Sequence, residues 1–167
     1  MRALIETAIP PGSSKVLADD CAARFVRHYQ ECWHEKTRPY PGVEELLARL
    51  VAAEVGVAIL SNKPHQFTLL CVRHFFPAVN FLRVFGLRDG YARKPDPASA
   101  LELAQIAGLA PQASFFIGDS AIDIATGDNA HMKTIGVTWG FRGREGLQNS
   151  PVRNLVDTAD AIYPLVV

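Results

Sequence analysis

Two short apolar runs constrain this chain most: Val57-Ala58-Ile59-Leu60 and, opened by Ser114, Phe115-Phe116-Ile117. Neither is long enough for a helix, and neither alternates with polar residues. A short uninterrupted apolar run, here of four and of three residues, is the pattern of a strand buried on both faces, which needs helices above and below its sheet. The surrounding sequence supplies them. Val43, Leu46, Leu47, Leu50 and Val51 recur at i, i+3, i+4, i+7 and i+8, an amphipathic helix with Glu45 and Arg49 paired on its wet side. Residues 64–75 read as a helix and Leu82-Arg83-Val84-Phe85 as a weaker strand. Asp96 caps a further helix with Pro97 at its first position, and Gly108 ends it. A helix over 120–131, a strand over 134–138, and a last strand and helix near Leu155 and Ala161 complete the order. Alternation of this kind predicts an α/β fold, a parallel sheet with helices on both faces.

The first 38 residues differ. Helices are predicted over 1–9 and 14–35, parted by the breaker Pro10-Pro11-Gly12-Ser13-Ser14. The stretch Lys36-Thr37-Arg38-Pro39-Tyr40-Pro41-Gly42 reads as a boundary, giving domains over 1–38 and 39–167. At 167 residues the chain can bury ~70% of its unfolded surface. Basic and acidic residues balance at 17 each, which argues against nucleic acid or an anionic membrane as partner. No apolar run is long enough to cross a bilayer, and the start, Met1 to Glu6, is unlike a signal peptide. Cys21, Cys32 and Cys71 follow no disulfide spacing, so reduced thiols and a cytoplasmic location are expected. Cys21, His28 and Cys32 share a helix face, but three ligands on one helix rarely converge tetrahedrally on a metal.

Ligands of parallel α/β sheets bind beyond the carboxyl ends of the strands. After Leu60 come Ser61 and Asn62; after Ile117 come Gly118, Asp119 and Ser120; between them lies Lys94 in Arg93-Lys94-Pro95-Asp96-Pro97. Each group suits a phosphate. Ser61 can donate its hydroxyl, the N–H groups near Asn62 open a helix whose N-terminus favours anions, and Lys94 offers a compact positive charge. Asp119 at a glycine turn suits Mg²⁺, and Asp123 lies one helical turn further on the same face. Each feature alone has a bland reading as cap, solvated turn or dipole complement; their order at successive strand ends favours the phosphate site.

The ordered set Ile59-Leu60-Ser61-Asn62, Lys94-Pro95-Asp96-Pro97 and Phe116-Ile117-Gly118-Asp119-Ser120-Ala121-Ile122-Asp123 resembles motifs two, three and four of the haloacid dehalogenase superfamily. Arg38-Pro39-Tyr40-Pro41-Gly42-Val43 and Gly136-Val137-Thr138-Trp139-Gly140-Phe141-Arg142 narrow the likeness to the phosphoglycolate phosphatase branch. The resemblance implies a Mg²⁺-dependent hydrolase of small phosphate monoesters on a Rossmann-like core with a helical cap. It implies that Ser61, Asn62 and Lys94 bind phosphate, that Lys94 and Asp119 serve catalysis, and that Asp119 and Asp123 serve the metal.

The chain also departs from that pattern. Family members begin with a strand ending in Asp-x-Asp-Gly-Thr, whose first aspartate attacks phosphorus and whose second is general acid and base. No such motif occurs in these 167 residues. Residues 1–38 resemble the last helices of the family's cap, so the sequence is expected to start part-way through a longer protein. The absent strand would be the central one, between those ending at Leu60 and Ile117. Its loss predicts unpaired backbone, pairing with another chain as a homodimer or by strand exchange, and no turnover by the chain alone. The alternative is a non-catalytic module that binds phosphate or accepts a strand. Finally, Asn129-Ala130-His131-Met132 carries His131 where the family has glycine, and Gly127 stands inside a helix at a cost of ~1 kcal/mol against alanine.

Overall fold

The computed structural model describes residues 2–148 and 150–167, which divide into two compact units, Met1–Arg38 and Pro39–Val167. The first unit is a helical pair, α1 (Arg2–Ala8) and α2 (Lys15–Cys32). The helix predicted over 1–9 is thus seen over 2–8, residue 1 lying outside the described residues. Ser14 caps α2 through a hydrogen bond from the Leu17 N–H, satisfying one orphan donor of the first turn.

The second unit runs α3 (Val43–Ala52), β1 (Ala58–Pro64), α4 (His65–Phe75), β2 (Arg83–Leu87), α5 (Ala98–Ala107), β3 (Phe115–Gly118), α6 (Ala121–Asn129), β4 (Lys133–Val137), β5 (Asn154–Val156) and α7 (Tyr163–Val166). Every strand pair is parallel. Helices cover both faces of the β3-β4-β5 ladder. Ile135 and Val137 of β4 join Leu46 and Leu50 of α3, Val156 and Ile162 in the main core cluster. On the other face Gly127 of α6 lies against Phe116 and Thr134. The apolar stripe of α3 buries Leu46, Leu47 and Leu50 as its period requires.

The ladders do not form one sheet. β1 pairs with β2, and β3-β4-β5 form a second sheet, with no bonded pairing between β1 and β3 among the described residues. This corrects the expectation that both apolar runs are buried. No residue of β1 or β3 is buried, and Ile117 is 39% exposed, while four of the five residues of β4 are buried. The physical reason is neighbour count: β4 has strands on both sides, whereas β1 and β3 each have one.

Two local expectations are also revised. Arg49 bonds Asp160 and stacks on the Tyr163 ring at 3.9 Å instead of pairing with Glu45, because α7 and the turn before it pack beside α3. Gly127 is required by packing: an added Cβ would stand 2.5 Å from Thr134 Cγ2 and 2.8 Å from Phe116 Cβ. His131 occupies the left-handed region at φ 57°, the conformation for which glycine is suited.

Opposite effects are expected at these two positions. Gly127→Ala should lose about 1–3 kcal/mol through overpacking, despite the better helix propensity of alanine. His131→Gly should gain about 0.5–1 kcal/mol by relieving the left-handed backbone. Urea unfolding measures both, and a stabilised Gly127→Ala would contradict the packing account.

Candidate active site

Lys94 organises the strand ends. Its Nζ donates to Asp123 Oδ1 at 2.6 Å and to the Leu60 carbonyl at 3.4 Å, and lies 5.8 Å from the Phe116 ring centroid. One ammonium therefore contacts β1 at Leu60 and the first turn of α6, and lies near the side of β3. The pair is largely withdrawn from water, with side-chain exposures of 14% for Lys94 and 9% for Asp123. Charges so placed need all their hydrogen bonds, and Asp123 has them. Its Oδ2 accepts from the Ser120 hydroxyl at 2.6 Å, while Ser120 caps α6. A Cβ at Gly118 would collide with the Asp123 side chain, so the glycine of the turn is what lets this carboxylate approach.

The backbone of Lys94 is fixed from two directions. Asn62 Oδ1 accepts from the Lys94 N–H at 2.9 Å, and Asn62 Nδ2 donates to the Lys94 carbonyl at 3.3 Å. Asn129, at the far end of α6, donates from Nδ2 to the Pro95 carbonyl at 3.0 Å. The Lys94–Pro95 peptide is cis. Upstream in the same loop, Arg88 forks onto both oxygens of Glu102 at 3.0 and 2.6 Å and stacks between the Phe85 and Tyr91 rings. The hydrogen bond from Arg88 holds the Glu102 carboxyl below its usual range. The same bond raises the guanidinium pKa against the opposing effect of burial.

Ser61, Asn62, Lys94, Arg88 and Asp96 line a polar hollow of about 10 Å³, room for one water. Ser61 Oγ accepts the Lys63 N–H at 3.1 Å, a local turn contact that leaves the hydroxyl proton to donate. The helix expected to open near Asn62 begins at His65 instead, because the strand continues irregularly to Pro64. The N-terminus of α4 thus lies one residue beyond the predicted start at 64 and three beyond Asn62, whose side chain is committed to Lys94.

Asp119 sits apart from that hollow, one residue beyond β3. Its Oδ2 accepts the Arg142 N–H at 3.3 Å, and Gly140 lies so close that a Cβ there would collide with its carboxylate. Oδ1 accepts no hydrogen bond among the described residues. A carboxylate oxygen so placed fits Mg²⁺, which takes one or two protein carboxylates and completes its octahedron with water and phosphate oxygens. Asp123, with both oxygens already engaged, fits less directly. Among the described residues no group of three or more His, Cys, Asp or Glu side chains is positioned to hold a metal by itself. Ser120, Asn129 and the backbone of Gly140 to Arg142 are site elements whose roles the sequence left unread. The Ser-x-x-Asp spacing of Ser120 and Asp123 was the available signal for the first.

Residues 5–137 match the haloacid dehalogenase-like hydrolases. The chain belongs to that family. Phosphoglycolate phosphatases from Pseudomonas putida and Escherichia coli are each 32% identical to it, over 89% and 84% of this chain. The chain spans little more than half their length, 54% and 56% respectively. A crystal structure of a predicted phosphoglycolate phosphatase from Haemophilus somnus superposes with a TM-score of 0.86 at 25% identity, over 93% of this chain and 69% of that one. No described helix is long and apolar enough to cross a membrane.

The buried pair gives a direct expectation. Lys94→Met should cost about 3–5 kcal/mol by stranding the Asp123 carboxylate, and Asp123→Leu a similar amount by stranding the ammonium. The double variant Lys94→Met/Asp123→Leu should recover most of that loss. Additive losses in a chemical-denaturation cycle would mean the two charges are not coupled.

Proposed function

We propose that this chain carries the phosphate- and metal-handling half of a phosphoglycolate phosphatase-like hydrolase of small phosphate monoesters. The observation that supports it most is the Lys94 ammonium, fixed by Asn62 of β1 and Asp123 of α6 beside Ser61. Ser61 donates a hydroxyl hydrogen bond to a phosphate oxygen, and Lys94 supplies the compensating charge. Asp123 acts by positioning Lys94. Asp119 is the residue that would hold Mg²⁺, and the ion would neutralise charge on the phosphate. The helices of residues 2–32 fit the role of cap remnant, and small phosphorylated metabolites are the substrate class.

The 167 residues contain no Asp-x-Asp pair, so the reading assigns no attacking carboxylate to them. Phosphate monoesters hydrolyse very slowly unaided, and removing an essential nucleophile can cost on the order of 10⁶ in turnover. The chain alone should therefore bind inorganic phosphate, detected by calorimetry, but not hydrolyse 2-phosphoglycolate or an aryl phosphate with Mg²⁺. Ser61→Ala and Lys94→Ala should each weaken phosphate binding at least tenfold. Mg²⁺-dependent turnover that is lost on Asp119→Ala would contradict the assignment of a non-hydrolysing half. Phosphate affinity indifferent to Ser61 and Lys94 would remove the site itself.

A further inference from the structure

The segment between β2 and α5, residues 88–97, has no regular secondary structure, yet it carries Lys94. Its downstream half is tied to neighbouring elements, since Asn62 clamps the main chain at Lys94 and Asn129 reaches the Pro95 carbonyl. Its upstream half is held by Arg88. The guanidinium lies 3.5 Å from the centroid of the Phe85 ring in β2 and 3.8 Å from that of Tyr91. It forks onto Glu102 of α5 and also reaches the Ser99 hydroxyl of that helix at 3.4 Å. Tyr91 returns to it through a turn in which its N–H donates to the Arg88 carbonyl at 3.3 Å. One side chain thus joins the strand before the segment, the segment itself and the helix after it.

The geometry suits a fixed support better than an anion contact. Both terminal nitrogens are committed to Glu102, and Nε is buried without a partner. No hydrogen bond runs from Arg88 to Ser61 or Lys94 among the described residues, although all three stand in the wall of one hollow. Side-chain exposures of 18% and 28% place the Arg88–Glu102 fork between a surface ion pair, which contributes little, and a fully buried one. Two parallel bonds in one plane, clamped between two rings, fix orientation as well as distance.

We propose that Arg88 is a positioning residue for the phosphate site, acting through residues 88–93 to deliver the Lys94 ammonium between Leu60 and Asp123. The inference rests on the phosphate reading of Lys94 and adds to it a residue that does not touch the ligand. Lysine cannot take this place, because an ammonium neither forks onto a carboxylate nor stacks its plane on two rings.

The test measures inorganic phosphate binding by calorimetry and amide exchange by NMR, both on the whole chain. Arg88→Lys keeps the charge and removes the fork; Glu102→Gln keeps the volume and removes the charged acceptor. Each should weaken phosphate binding about fivefold at a temperature where the variant is fully folded. Introduced into Lys94→Ala, neither should weaken it further, because the positioned group is gone. The Lys94 amide, which donates to Asn62, should exchange about tenfold faster in both variants, while amides of β4 keep their rates. Unchanged phosphate affinity would reduce Arg88 to a structural tie and overturn the proposal. A loss that adds in full to that of Lys94→Ala would also overturn it, by making Arg88 a direct contact. If Arg88→Lys does not fold, Glu102→Gln decides alone. Amide exchange needs no phosphate, so the two readings fail separately. A chain that binds no phosphate yet loses Lys94 protection in the variants refutes the phosphate site and keeps the link from Arg88 to Lys94. Unchanged protection in a chain that does bind phosphate refutes the link.

Discussion

The Lys94–Asp123 pair is the contact on which the arrangement of the larger unit depends. A lysine and an aspartate this poorly exposed gain little net stability from their mutual attraction, since desolvation offsets most of it. What they contribute is placement. The ammonium reaches the Leu60 carbonyl within β1, and the carboxylate belongs to the helix that follows β3, so the pair ties two ladders that share no backbone pairing among the described residues. Around it the requirements accumulate: Gly118 leaves room, Ser120 satisfies the second oxygen, and Asn62 holds the lysine's main chain from β1.

Much of this was legible from residue pattern. The helix over Val43 to Ala52 follows from its 3.6-residue period, the end of α5 from Gly108 at φ 68°, and the strands from short apolar runs bounded by polar residues. The position of Asp119 just beyond β3 follows from the general geometry of parallel sheets, whereas Ser61 lies within β1 and Lys94 in the loop between β2 and α5. Less accessible were features set by tertiary contact. A burial estimate for Ala58–Leu60 or Phe115–Ile117 assumes two neighbouring strands, and pattern alone cannot count them. Arg49 seemed paired within its own helix because local spacing is visible in sequence, whereas Asp160 lies 111 positions away.

The same limit applies at the site. The sequence places Asp119 and Asp123 on one helical face, which suggests equivalent roles. The structure gives them different partners: Asp123 is saturated by Lys94 and Ser120, while Asp119 keeps an oxygen free and is braced by the Arg142 backbone. Two carboxylates four residues apart are thus separated chemically by the loop after β4, through a glycine at 140 that only makes sense once Asp119 is seen against it.

The packing of α3 has a consequence for synthesis on the ribosome. Leu46 and Leu50 are covered by Ile135, Val137, Val156 and Ile162, all translated much later. At ~5–20 residues per second, roughly a hundred residues take several seconds, during which the apolar stripe of α3 has none of these partners. This unit cannot mature from its amino end outward. Closure of this core waits for the segment from β5 to Ile162, and the apolar stripe of α3 lacks its cover until then.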